Sequence, residues 1–239
     1  MNQIITQHGW GLDHNVWINL KNQFIQKKWL WQDNERGYFS ESSICSKWFK
    51  DNSNKSLKVA LCHSLGIHLI DQMVLKEATH LILINSFINF IPTNYESKLT
   101  LKELKRMEKK INPSDINHLI KKFITKSFEP NQVDLSLKYI FDLDVKKINI
   151  NKLMKDFKKL YLQNQSINFL SAETEVLIIK SKNDLILKEY ACDEFITMLN
   201  TSQINKPKLV ELHKQGHLIN NIDIVKIIED WIKHLNYGY

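Results

Sequence analysis

The chain has 239 residues, 43% hydrophobic and 25% charged, the proportions of a folded globular protein, which exclude a disordered or fibrous one. Its three cysteines, Cys45, Cys62 and Cys192, are odd in number and far apart, which excludes a disulfide framework and paired metal-ligand motifs and leads us to expect a cytoplasmic home. A net charge of +7 admits nucleic acid, an anionic membrane surface or an acidic protein as partner, and its distribution has to choose among them.

The chain starts with "MNQIITQHGWG", which lacks the basic segment and apolar run of an export signal, and no stretch reaches the roughly 20 apolar residues of a membrane helix. Neither export nor a membrane span is expected. "QIIT" near residue 5 reads as a first strand, followed by the Gly-containing loop "HGWG" at 8–11 and a helical pattern over 16–28. Further short apolar runs follow at 29–33 ("WLWQD"), 57–62 ("LKVALC"), 80–86 ("HLILINS"), 175–181 ("EVLIIKS") and 208–213 ("KLVELH"). They are continuously apolar instead of alternating, as parallel strands covered on both faces are. Helical patterns over 65–77, 189–200 and 222–235 separate them. The alternation predicts an α/β fold with a doubly wound, mostly parallel sheet.

From residue 87 to 170 the alternation stops. Leu101, Leu104, Met107 and Ile111 form one helical stripe, Ile116, Leu119, Ile120, Phe123 and Ile124 a second, and Leu153, Phe157 and Leu160 a third. Thr100 with Glu103 offers a capping box, and Pro113 suits a helix start. The expected organisation is therefore a core of residues 1–86 and 171–239 interrupted by a helical lid over 87–170. Between Lys98 and Lys159 there are 16 Lys or Arg against 8 Asp or Glu, a net of +8 that leaves −1 for the rest of the chain. The excess positive charge sits on the insertion.

Ser64 follows the run "LKVALC" and precedes a helical pattern, with Cys62 and Gly66 two positions to either side. This is the layout of a nucleophile elbow, in which a strained turn lifts the hydroxyl over the sheet and small neighbours avoid collision. Serine also caps helices, and partners decide between the two roles. A serine hydroxyl needs a base, and the base needs an orienting group. Asp184 follows the strand at 175–181, and His217 follows Gly216 after the strand at 208–213; His213 is a nearby competitor but lies closer to the strand. Both choices hang over the carboxyl edge of the sheet, where open α/β sheets keep their reactive groups. "HGWG" is too short for a dinucleotide or phosphate fingerprint. It suits the second half of an oxyanion site, with backbone N–H groups from Trp10 and Leu65. No metal or cofactor is required by this chemistry.

The ordered set "HGWGLDHNVW", "CHSLG", "NDLIL" and "GHLI" resembles the α/β-hydrolase superfamily over nearly the whole chain. With the helical insertion it looks closest to the carboxylesterases that act on the methyl ester of pimeloyl-acyl carrier protein in biotin synthesis. The resemblance implies an α/β-hydrolase fold without the usual leading hairpin, a catalytic triad of Ser64, Asp184 and His217, and Trp10 beside the acyl channel. Cys62 stands where the elbow usually has its first glycine. An acidic carrier protein would meet the basic insertion, and Lys102, Lys105, Arg106, Lys109, Lys121 and Lys122, mostly off the apolar stripes, are the candidate contacts. Alternatives are a general short-chain carboxylesterase and a menaquinone-pathway lyase of the same fold, whose relatives lean on arginines where this insertion has only Arg106. No helix-turn-helix, zinc or aromatic strand motif accompanies the basic face, so nucleic acid is not expected.

Overall fold

The computed structural model describes residues 1–50, 56–91, 96–142, 144–163, 165, 166, 168–219 and 221–236. Among the described residues six strands form one sheet: β1 (Gln3–Gln7), β2 (Leu30–Asn34), β3 (Lys58–His63), β4 (His80–Ile84), β5 (Glu175–Ser181) and β6 (Lys208–Leu212). Their order is β2-β1-β3-β4-β5-β6 and every pair is parallel. β1 and β4 are buried at all five positions; β4 is apolar from Leu81 to Ile84, whereas β1 also buries Gln3, Thr6 and Gln7. The edge strand β6 is largely exposed and carries Lys208 and Glu211, charges that discourage edge-to-edge pairing.

Alternate side chains of each strand feed two separate cores. Ile4, Val59, Leu61, Ile82, Leu177 and Ile179 pack on one face with Leu20 and Phe24 of α1 (Ile18–Gln26) and Ile228 and Trp231 of α7 (Asn221–Asn236). Ile5, Ala60, Leu81, Leu83 and Ile178 pack on the other with α2 (Gln72–Glu77) and α6 (Glu189–Ser202). That second core continues into the segment between β4 and β5, which contributes α3 (Ser97–Glu108), α4 (Ile116–Phe128) and α5 (Ile150–Phe157). All three predicted stripes face it: Leu104, Ile111, Ile116, Ile120, Ile124, Leu153 and Phe157 are buried.

Two local expectations are corrected. The pattern at 65–77 is not one helix: a 3-10 turn over Ser64–His68 gives way to α2, which is capped by Asp71 accepting from Met73 N–H at 2.8 Å. Thr100 and Glu103 do not form a capping box, because α3 begins at Ser97. Thr100 is instead buried inside the helix, with its hydroxyl 3.4 Å from the Tyr190 hydroxyl of α6. Pro113 lies in the turn before α4, where Asn112 Oδ1 accepts from Ser114 and Asp115 N–H at 2.9 and 3.1 Å.

Candidate active site

The strand order reverses direction at β1, whose outer neighbour is β2 and whose inner neighbour is β3. Parallel sheets open a crevice at such a switch point beyond the carboxyl ends of the strands. The loop after β1 carries Trp10, and the turn after β3 carries Ser64 and Leu65; all three line one cavity of about 340 Å³.

Ser64 is the first residue after β3 and has φ +54°. A non-glycine residue in the left-handed region carries strain, and such residues cluster at functional sites. The turn needs its neighbours to be small. A Cβ on Gly66 would lie 2.4 Å from the Gln7 carbonyl oxygen, and one on Gly9 would lie 3.1 Å from Ser64 Cβ. Both glycines let the loop after β1 rest directly on the serine turn. Cys62, at the position of the elbow's usual first glycine, packs in the core and is fully buried. Burial pushes its thiol pKa up, so it stays protonated.

Asp184 lies three residues beyond β5. Its Oδ1 accepts from the N–H groups of Ile186 and Leu187, both at 2.8 Å, and its Oδ2 lies 2.6 Å from Nδ1 of His217. With one oxygen held by the backbone, the other is aimed at the imidazole. His217 is 1% exposed, and its Nε2 is buried with no hydrogen-bond partner among the described residues. A buried polar atom left open in this way is unfavourable unless a substrate, water or reacting group uses it. His213 lies exposed in the turn after β6.

The loop carrying Trp10 is tied to the inserted helices. Trp10 Nε1 donates to the Leu153 carbonyl of α5 at 2.8 Å, and its ring meets Phe123 and Phe157 edge-on at 5.3 and 5.4 Å. His8 Nε2 accepts from Arg36 N–H at 3.2 Å, and the Arg36 guanidinium grips Asp156 of α5 through two bonds of 2.8 Å. Tyr38 donates to the same carboxylate at 2.8 Å, and Asp156 is completely buried.

Apolar side chains including Leu104, Leu119, Phe123 and Leu160 line the cavity, joined by Arg106, Lys110, Lys122, Lys126 and Lys188 with Glu103 as the one carboxylate among the described residues. Of the six cations singled out in the sequence, Arg106 and Lys122 therefore reach the cavity. Lys102, Lys105, Lys109 and Lys121 are exposed and do not line it, and Lys121 Nζ sits 5.3 Å over the Phe141 ring. Sequence reasoning missed Lys110, Lys126 and Lys188, because the cavity lies between helices whose relative placement no periodicity reveals. It also missed His63 and Asn85, buried polar residues at the ends of β3 and β4. The hint was available: a histidine and an asparagine ending otherwise apolar runs at the carboxyl edge.

No protein-family profile matches the sequence, and no curated protein matches it. Solved structures match its shape over almost the whole chain. An esterase from Exiguobacterium antarcticum superposes with a TM-score of 0.68 at 16% identity, covering 98% of this chain and 92% of its own. A hydrolase from Oleispira antarctica gives 0.68 at 13% identity, covering 98% and 91%. The enol-lactonase from Burkholderia xenovorans gives 0.63 at 13% identity, covering 97% and 91%. At such identities the likeness establishes architecture: the chain has the α/β-hydrolase fold.

Proposed function

We propose that this chain is a serine carboxylesterase with Ser64 as nucleophile, His217 as general base and Asp184 as the group that orients it. The observation that carries the reading is His217 itself: Nδ1 engaged by a backbone-held carboxylate at 2.6 Å while Nε2 stays buried and open. In this scheme His217 Nε2 removes the Ser64 hydroxyl proton as Oγ attacks the ester carbonyl, and Asp184 stabilises the imidazolium that forms. The N–H groups of Trp10 and Leu65 receive the oxyanion, and loss of one such donor costs about 100- to 1,000-fold in kcat. His217 then protonates the departing alkoxide, and water repeats the sequence on the acyl-enzyme.

For the substrate, we favour the methyl ester of pimeloyl-acyl carrier protein. Two features support it beside the resemblance: an apolar cavity suited to an acyl chain, and five cations against one carboxylate around it. An acidic carrier would be steered and held by that field. A general short-chain carboxylesterase is the second reading, favoured by the small volume of the cavity, about 340 Å³.

The test is hydrolysis of methyl pimeloyl-acyl carrier protein, followed by mass spectrometry, beside a free short methyl ester and with Ser64→Ala as control. Preference for the carrier-linked ester, weakening steeply with salt while free-ester hydrolysis does not, supports the carrier reading, because screening shortens from about 10 Å at 0.1 M to about 3 Å at 1 M. Equal use of both esters leaves the general esterase, and unchanged activity in Ser64→Ala removes the serine mechanism.

A further inference from the structure

His217 sits on a loop, yet a general base has to be held within about 0.5 Å of its productive position. The imidazole is fixed at one end by Asp184; what fixes the residue's backbone is a separate question. Its carbonyl oxygen receives two buried donors, Asn85 Nδ2 at 2.8 Å and His63 Nε2 at 2.9 Å. We propose that Asn85, assisted by His63, is a positioning residue for the His217 imidazole, a role that rests on the reading of His217 as the base.

Asn85 is built for this and for little else. It follows the last residue of β4 at φ +43°, a left-handed conformation that asparagine tolerates better than other side chains bearing a Cβ. Its amide is 1% exposed and fully engaged. Nδ2 also donates to Ser181 Oγ at 3.0 Å and to the Gly216 carbonyl at 3.3 Å, and Oδ1 accepts from Ser181 N–H at 2.8 Å. The side chain thus bridges the end of β5, the strand leading to Asp184, and the two residues that present the base. A carboxylate here would face the carbonyl oxygens of Gly216 and His217 with no proton to offer them, so the amide suits the position and the nearly isosteric aspartate does not.

His63 completes the arrangement. Donation from Nε2 to the His217 carbonyl fixes its tautomer and leaves Nδ1 buried without a partner among the described residues. Its ring lies 4.7 Å from that of His217. Burial, then the neighbouring His217, hold its pKa well below the usual histidine value, so no second positive charge opposes an imidazolium at His217.

The experiment compares Asn85→Gly, which suits the positive φ and deletes the amide, with Ser181→Ala, which removes one Asn85 partner while leaving both donors to His217. The direct readout is the low-field NMR resonance of the His217 Nδ1 proton shared with Asp184, assigned by its loss in Asp184→Asn. The functional readouts are the rate of Ser64 labelling by a fluorophosphonate and the split of kcat from KM. Expected for Asn85→Gly are a shifted or broadened resonance and a fall of about 10- to 100-fold in labelling rate and kcat, with KM nearly unchanged. Ser181→Ala should stay within about threefold of wild type, since the contact it loses does not touch the base. A folded Asn85→Gly with a wild-type resonance and labelling rate overturns the proposal. If Asn85→Gly does not fold, His63→Leu removes the other donor to the same carbonyl and is judged by the same two criteria. Absence of Ser64 labelling in the wild type refutes the esterase reading alone, because the resonance still reports whether Asn85 positions the imidazole.

Discussion

Acidification offers a quantitative check on the packing. His68 and His80 are held neutral by burial, each with its pKa lowered to about 4 from an ordinary 6.5; for His68 the hydrogen bond with the Phe87 carbonyl works against that shift. A folded pKa below the unfolded one means that the unfolded chain binds more protons between the two values. The stability these residues allow is therefore complete above about pH 6.5 and is lost as pH falls towards 4. Going from about pH 7.5 to about pH 5, each contributes a loss of about 2 kcal/mol, or about 4 kcal/mol together, against a typical total of about 5–15 kcal/mol. His63 adds in the same direction. His14, whose pKa is raised chiefly by its hydrogen bond to Glu35, contributes stability that is complete below about pH 6.5 and fades as pH rises through its raised folded value, but its imidazole is 45% exposed and solvent screening keeps that offset small. Urea unfolding followed by tryptophan fluorescence at several pH values measures the slope. His80→Phe, which keeps a ring against Trp231 at the same place, should recover about half of the expected loss. Stability that is flat across this range, or a His80→Phe slope equal to that of wild type, would refute the reasoning.

Gly216→Ala would put a Cβ 2.4 Å from the Glu129 carbonyl oxygen and 2.5 Å from that of Ser127; overpacking of this kind costs about 1–3 kcal/mol, so the melting temperature should fall by several degrees and activity with it. Arg36→Met leaves the Asp156 carboxylate buried with Tyr38 as its remaining donor among the described residues, an expected loss of about 3 kcal/mol that Asp156→Leu in the same chain should largely restore, as chemical denaturation would report. Ser64→Gly and Ser64→Ala both remove the hydroxyl, but only glycine relaxes the +54° backbone; the glycine variant should be the more stable by about 1 kcal/mol, and an alanine variant of equal or greater stability would show that the turn stores no strain.

The sheet was legible because both of its faces are covered: β1, β3, β4 and β5 are buried at nearly every position, and the runs of β3, β4 and β5 show no alternation of polar and apolar residues to blur them. The approach of Asp184 to His217 was foreseeable because both follow strands at one edge of a parallel sheet. What stayed hidden depends on partners far along the chain. Thr100 looked like a cap and is buried because Tyr190, 90 residues away, meets its hydroxyl. Asp156 sits among apolar stripe residues and is buried because Arg36 and Tyr38, some 120 residues earlier, supply its hydrogen bonds. The cavity cations Lys110, Lys126 and Lys188 come from the turn after α3, from α4 and from the approach to α6, elements whose juxtaposition only packing decides.

The inserted helices serve the sheet's loops through their backbones. Loops at strand ends are ordinarily the least stable parts of a fold. Here the loop after β1 is held by the Leu153 carbonyl of α5, and the loop after β6 by the Ser127 carbonyl of α4, which accepts from Leu218 N–H at 2.7 Å. At the same junction Asn131 of the chain leaving α4 donates to the Lys214 carbonyl at 2.9 Å. Acceptors at Leu153 and Ser127 belong to the main chain, so substitutions on the outer faces of these helices leave them in place. Exposed lysines of α3 and α4 that do not line the cavity, such as Lys102 and Lys105, are consequently free to vary with whatever they meet, while the same segment holds the loops that carry Trp10 and His217.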